Sequence, residues 1–253
     1  MEGELMITQA ASILLTHFAM TPSSADLQTL LRSETQWHYS QHYLAECKGE
    51  QVIENMLTLT SNKKQRAILN SQLRDELRHC KLFQKQVDRI GFEPRAKRYA
   101  EGYSLLVDEQ KSLSEKAFVF QILTESVSAG YCKWRLGANA DETLKAVDVE
   151  VEADERKHLL MGKALLNICD TDEILEKLTP SRQRELVKKM NEICKLAIRE
   201  DMVLSLLPLN KAKQGVGASS LDSIIAKSLI NELRDFENSY SLIAHTNTAA
   251  EAT

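Results

Sequence analysis

Glu46 and Glu76 stand 30 residues apart, and so do Glu125 and Glu155; in each case a histidine, His79 or His158, follows the second glutamate by three residues. The chain therefore carries Glu-x29-Glu-x-x-His twice, offset by 79. The midpoints of the two pairs are residue 61, on the turn signal Thr60-Ser61-Asn62, and residue 140, directly after the turn signal Gly137-Ala138-Asn139. Each pair would then face itself across an antiparallel helical hairpin. Fifteen residues of helix cover about 22 Å, which places all four carboxylates at the same depth.

Only 9 Gly and 4 Pro among 253 residues, with abundant Leu, Ala, Glu, Lys and Gln and few alternating β-branched runs, favour helix along nearly the whole chain. The fold class is all-α. Further breaks at Gly91-Phe92-Glu93-Pro94, Cys169-Asp170-Thr171-Asp172, Thr179-Pro180 and 208–220 predict long helices at about 33–60, 62–90, 113–136, 141–168, 180–206 and 221–244. A short helix is predicted at 4–20 and another at about 99–109, within a connection from 91 to 111 that carries one hairpin across to the next; 246–253 reads as a frayed tail. The expected organisation is one helical domain over 1–245, with a metal-binding part at about 33–168 and accessory helices at about 180–244. Those accessory helices could close the bundle, form a dimer face or cover an entrance.

A Glu-x-x-His motif alone says little. With 24 Glu and 6 His in the chain, about 0.6 would arise by chance. Helix phase adds weight. On 62–90 the apolar seam runs Leu69, Leu73, Cys80, Phe83, Val87 and Ile90, with Glu76 in its one gap. On 113–136 it runs Phe118, Ile122, Ala129, Cys132 and Leu136, with Glu125 in the gap. Tyr39, Tyr43, Ile53 and Leu57 flank Glu46; Leu144, Val151, Gly162 and Leu165 flank Glu155 and His158. Glu50, one turn after Glu46, is an alternative donor on the first helix.

Four carboxylates and two imidazoles thus point inward, where unpaired charge is costly. Two divalent cations would satisfy them, and oxygen–nitrogen ligation without thiolate suits iron, with manganese or a mixed pair as alternatives. His38 and His42 flank the first helix and are read as surface residues or supports rather than ligands, and His17 and His245 lie outside the repeat.

A formal charge of -4 from 32 basic and 36 acidic side chains argues against a nucleic-acid surface or a polybasic membrane contact. The acidic start and the lack of an apolar run of about 20 residues suggest a soluble, cytoplasmic chain. Five scattered cysteines, none spaced Cys-x-x-Cys, read as reduced and mainly buried thiols.

Asp75-Glu76-Leu77-Arg78-His79 resembles the Asp-Glu-x-Arg-His signature of the ferritin-like di-iron carboxylate superfamily, and Asp154-Glu155-Arg156-Lys157-His158 is similar, with Lys157 in place of the arginine. The resemblance covers residues 37–168; its spacings are nearest those of the compact aldehyde-deformylating oxygenases. It implies a ferritin-like four-helix bundle with additional N- and C-terminal helices. Glu46, Glu76, His79, Glu125, Glu155 and His158 would be iron ligands, Glu76 and Glu155 bridging, and Asp75 and Asp154 would orient the histidines. The implied activity is O2-dependent oxidation of an organic, partly hydrophobic substrate by a monomer or homodimer. Electrons would come from an external ferredoxin or reductase, since no flavin, NAD or Fe–S motif is visible. Two other readings stand beside it: iron oxidation for storage or detoxification, and a metal-free helical scaffold.

Overall fold

The computed structural model describes residues 24–93, 96–138 and 141–204. Among them every regular element is helical, as the composition requires. The helices predicted at 4–20 and 221–244 and the tail at 246–253 lie outside the described residues. No described helix is long and apolar enough to cross a membrane.

α1 (Ser24–Thr58) and α2 (Lys63–Ile90) form the first hairpin. Asn62 caps α2: its side chain accepts from the amides of Lys64 and Gln65 at 2.9 and 3.4 Å, satisfying donors that the first turn leaves open. At the far end Gly91 takes φ 105°, a left-handed conformation that glycine adopts without steric cost, and its N–H closes on the Val87 carbonyl at 2.7 Å. α3 (Arg98–Asp108) then crosses to the other half, packing on α1. A capping box of Ser112 and Glu115 starts α4 (Leu113–Ala117).

α4 does not run directly into the next helix. Phe118–Thr124 is π-helical, and α5 (Glu125–Ala138) begins at the predicted glutamate. Thr124 Oγ1 donates to the Val119 carbonyl at 3.1 Å, five residues back, within this wider turn. A π turn takes up one more residue than an α turn. Of the predicted seam, Phe118, Ile122 and Cys132 are buried, whereas Ala129 and Leu136 are only half-buried; Ser128 and Arg135 occupy the inward stripe.

Asp141 caps α6 (Glu142–Leu166), accepting from the amides of Thr143 and Leu144. α7 (Thr171–Lys177), a short helix that the spacing of turn signals did not predict, is capped by Asp170. α8 (Pro180–Leu204) follows the predicted start and packs chiefly on α3, also touching α1 and the π-helical segment. The first helix departs from expectation as well, starting at Ser24 rather than near 33.

The two hairpins pack side by side, α2 lying against α6. Their turns point to opposite ends. Gln65 of α2 reaches the Ile168 carbonyl at one end, while Arg89 pairs with Asp141 at the other. The apolar core falls into two clusters, a large one with Ile53, Met56, Leu69, Phe118, Ile122, Leu186 and Met190, and a smaller one with Tyr39, Phe83, Val87, Cys132, Leu144 and Val151. Along α1 and α2, Glu46, Glu76 and His79 stand between residues of one cluster and residues of the other.

Candidate metal centre

Glu46 comes from α1, Glu76 and His79 from α2, Glu125 from the first turn of α5, and Glu155 and His158 from α6. None is more than 4 % exposed. They form two trios, Glu46–His79–Glu155 and Glu76–Glu125–His158, and within each trio one donor atom per residue lies within 4.8 Å of the others. Each histidine therefore groups with a glutamate of the opposite motif. His158 Nδ1 also lies 3.1 Å from Glu155 Oε2 of the other trio, and the Glu76 and Glu46 carboxyls share a hydrogen bond, so both motif glutamates stand where the trios meet. The imidazole centroids are 5.8 Å apart. Glu50 belongs to neither trio.

Both histidines present Nδ1 to the carboxylates and turn Nε2 outward. His79 Nε2 meets Asp154 Oδ2 and His158 Nε2 meets Asp75 Oδ2, each at 3.3 Å. The aspartate of each motif thus fixes the ring of the other, leaving the Nδ1 lone pair available to a cation when the Nε2 proton is held by carboxylate. The basic residue of each motif completes the cross. Arg78 bonds Asp154, and Lys157 Nζ donates to Asp75 Oδ2 at 2.7 Å. Lysine in place of arginine keeps this pattern through a single ammonium donor.

The energetics stem from depth. Burial, reinforced by the neighbouring Glu155 charge, raises the Glu46 carboxyl to about 8, and burial holds Glu76 and Glu125 well above the usual carboxylate range. For Glu155 burial acts in the same sense but is outweighed by hydrogen bonds with Glu125 and His158, which hold it low. His158 is held in its charged form against burial by hydrogen bonds with Asp75 and Glu125. The hydrogen bond from His158, with Lys157 behind it, keeps Asp75 well below its ordinary value despite partial burial. A cluster that retains protons on several carboxyls has the character of a cation site, since a cation replaces those protons.

Several supports were not predicted. Gln72, fully buried on α2, donates to Glu76 Oε1 at 3.0 Å and also to Glu125, and Gln121 of the π-helical segment donates to Gln72 Oε1 at 2.6 Å. Ser128 donates to Glu155 Oε1 at 2.8 Å and lies 3.5 Å from His42 Nε2. His38 and His42 are both buried, and His42 is linked to the cluster through Ser128. A seam search looks for apolar residues and passes over buried amides and hydroxyls; the available signal was their spacing, Gln72 one turn before Glu76 and Ser128 one turn after Glu125.

The cysteines require a correction. Cys47 and Cys80, each one residue past a predicted ligand, form a disulfide with Cα atoms 5.6 Å apart, while Cys132, Cys169 and Cys194 remain thiols. Because Glu46 and His79 meet across the first hairpin, their neighbours Cys47 and Cys80 come into register too. Scattered sequence positions concealed a pair that the hairpin brings together. Against known protein families, curated proteins and solved structures, the chain has no match.

Proposed function

We propose that the chain is a non-haem di-metal oxidoreductase, with iron the favoured metal, that uses O2 to oxidise an organic substrate. The observation that carries this reading is the pair of buried Glu/Glu/His trios, one donor from each residue within 4.8 Å of its neighbours. The donors are hard oxygens and borderline nitrogens without thiolate, which fits Fe(II) or Mn(II). When bound, a pair of iron ions would supply the redox chemistry toward O2.

The chain's own part is to hold, orient and exclude. Glu46, His79 and Glu155 would hold one ion and Glu76, Glu125 and His158 the other, with Glu76 and Glu155 at the junction. Asp75 and Asp154 aim the imidazoles; Gln72 and Ser128 hold carboxylate oxygens in place through hydrogen bonds. Phe83, Phe118 and Ile122, all at 0 % exposure, keep water from the layer and provide an apolar setting for a substrate. Electrons would be delivered by a separate ferredoxin or reductase, and the protein would work as a monomer or homodimer.

Anaerobic titration with Fe(II), followed by elemental analysis of the gel-filtered protein, tests the reading. About two ions per chain are expected, and His79→Ala with His158→Ala should abolish uptake. Less than about a tenth of an ion per chain would favour a metal-free scaffold over a metalloenzyme. Fe(II) oxidation by a large shell-like assembly, with no response to any organic compound, would favour iron handling instead.

A further inference from the structure

Beyond the metal layer, toward the α5–α6 turn, α5 presents Ser128, Cys132 and Arg135 on one stripe. Arg135 is only 3 % exposed. Its Nη2 bonds Asp148 and lies 3.6 Å from Cys132 Sγ, and Asp148 also accepts from the Tyr39 hydroxyl at 2.9 Å. Among the described residues, Arg135 Nε and Nη1 have no hydrogen-bond partner. Three guanidinium N–H groups are thus buried without an acceptor among the described residues, a costly condition for a polar group.

The surroundings indicate what would answer them. The guanidinium carbon lies 4.7 Å from the Tyr39 ring centre, 5.1 Å from Tyr131 and 5.5 Å from Phe83. The His42 ring packs on two of those same rings, 4.8 Å from Phe83 and 5.1 Å from Tyr131. His42 in turn reaches Ser128, which bonds Glu155. Arg135 and the cluster therefore share aromatic walls. Gln41 Oε1, Gln86 Oε1 and His42 Nδ1 are also buried without partners among the described residues. Ser128 and Arg135 are seven residues apart, about 10 Å of helix, and a helical side chain leans toward its N-terminus, so the guanidinium leans back toward the metal layer.

We propose that Arg135 anchors the carboxylate of a small organic acid whose apolar body lies along Phe83 and Tyr131, with its far end directed at the metal layer. A carboxylate supplies the acceptor oxygens that the open N–H groups lack, and aromatic walls suit an apolar or aromatic body. As a substrate assignment this rests on the di-metal reading; as a binding site it can be tested without metal.

Phenylacetate and hexanoate, against phenylacetamide and hexanamide, are titrated into the metal-free full chain while tryptophan fluorescence is recorded. Trp134 stacks on Tyr131 with centroids 5.8 Å apart, and the chain has only one other tryptophan. At least one acid is expected to saturate the signal about tenfold below its amide, a ratio typical of losing one charge-assisted contact. The double variant Arg135→Met with Asp148→Leu removes the buried pair together, so neither charge is stranded; it should lose the preference for acid over amide while taking up Fe(II) as before. Arg135→Lys, which keeps the charge but not the planar donors, should weaken acid binding. Acid and amide behaving alike, or the double variant retaining the preference, would overturn the assignment. Acid binding with no metal uptake would overturn the di-metal reading alone, and metal uptake with no acid preference would overturn the anchor alone.

Discussion

Gly162 is buried on α6 where that helix crosses the π-helical segment. A Cβ placed there would stand 2.6 Å from Gln121 Cβ, 3.1 Å from Ile122 Cδ1 and 3.2 Å from the Gln121 carbonyl oxygen. Two of these three neighbours are a Cβ and a backbone atom, which no side-chain rotation can move. Gly162→Ala must therefore push α6 away from the segment. Alanine gains up to about 1 kcal/mol over glycine in a helix interior, whereas overpacking a close-packed core costs about 1–3 kcal/mol. Set against the full helix gain, the net effect is a destabilisation of up to about 2 kcal/mol, or a few degrees in Tm for a chain of this size. His158 lies one turn before Gly162, and Glu125 one turn after Gln121, so the same displacement should separate two donors of one trio and weaken metal uptake. Urea denaturation and Fe(II) titration of the variant measure both effects. Gly102→Ala is the comparison, because the three atoms nearest its Cβ would all belong to the Ile193 side chain, with no backbone atom among them. A Gly162→Ala protein that is as stable as the parent and loads metal fully would refute the close approach of α6 to the π turn.

Asp154→Ala leaves His79 Nε2 without its acceptor and is expected to lower metal affinity about 10–100-fold, read by competition with a chromophoric chelator; unchanged affinity would remove Asp154 from the site. The Cys47–Cys80 disulfide closes a separation of 33 residues, so Cys47→Ala with Cys80→Ala should cost about 4 kcal/mol in the chain-entropy account. Denatured, unreduced protein should titrate three thiols rather than five, matching the cysteines outside the bond. In the metal-free chain Glu46, Glu76 and Glu125 hold protons that the unfolded chain releases near pH 4–5, and His158 adds to this above about pH 6.5. The folded state then binds more protons, so stability should fall as pH rises from about 6.5 to 8, by about 1.4 kcal/mol per pH unit for each extra proton. The lowered His42 acts oppositely only below that window. Chemical denaturation at several pH values checks the sign, and a flat or rising profile would contradict it.

Much of the site was legible because its signals are short-range. The first hairpin turn appears as the Asn62 cap, a residue type whose side chain bonds the first amides of a helix whatever packs beside it. All six predicted donors proved to be buried in one layer. The π turn on the third arm was not legible: a regular 3.6-residue turn through 113–136 is the natural expectation, and nothing in Phe118–Thr124 announces the wider one. Ser128 and Arg135 escaped notice because an apolar seam does not register polar side chains on the buried stripe.

The sequence by itself determined that the chain is helical, where its hairpins turn, and that two matched sets of carboxylate and imidazole lie at equal depth, because propensity, capping and periodicity act over one or two turns of backbone. Which histidine joins which glutamate, the crossed Asp154–His79 and Asp75–His158 bonds, the Cys47–Cys80 pairing and the burial of Arg135 were decided only by tertiary structure. These depend on how far each helix rotates and slides against its neighbours, and that is set by the packing of the whole core.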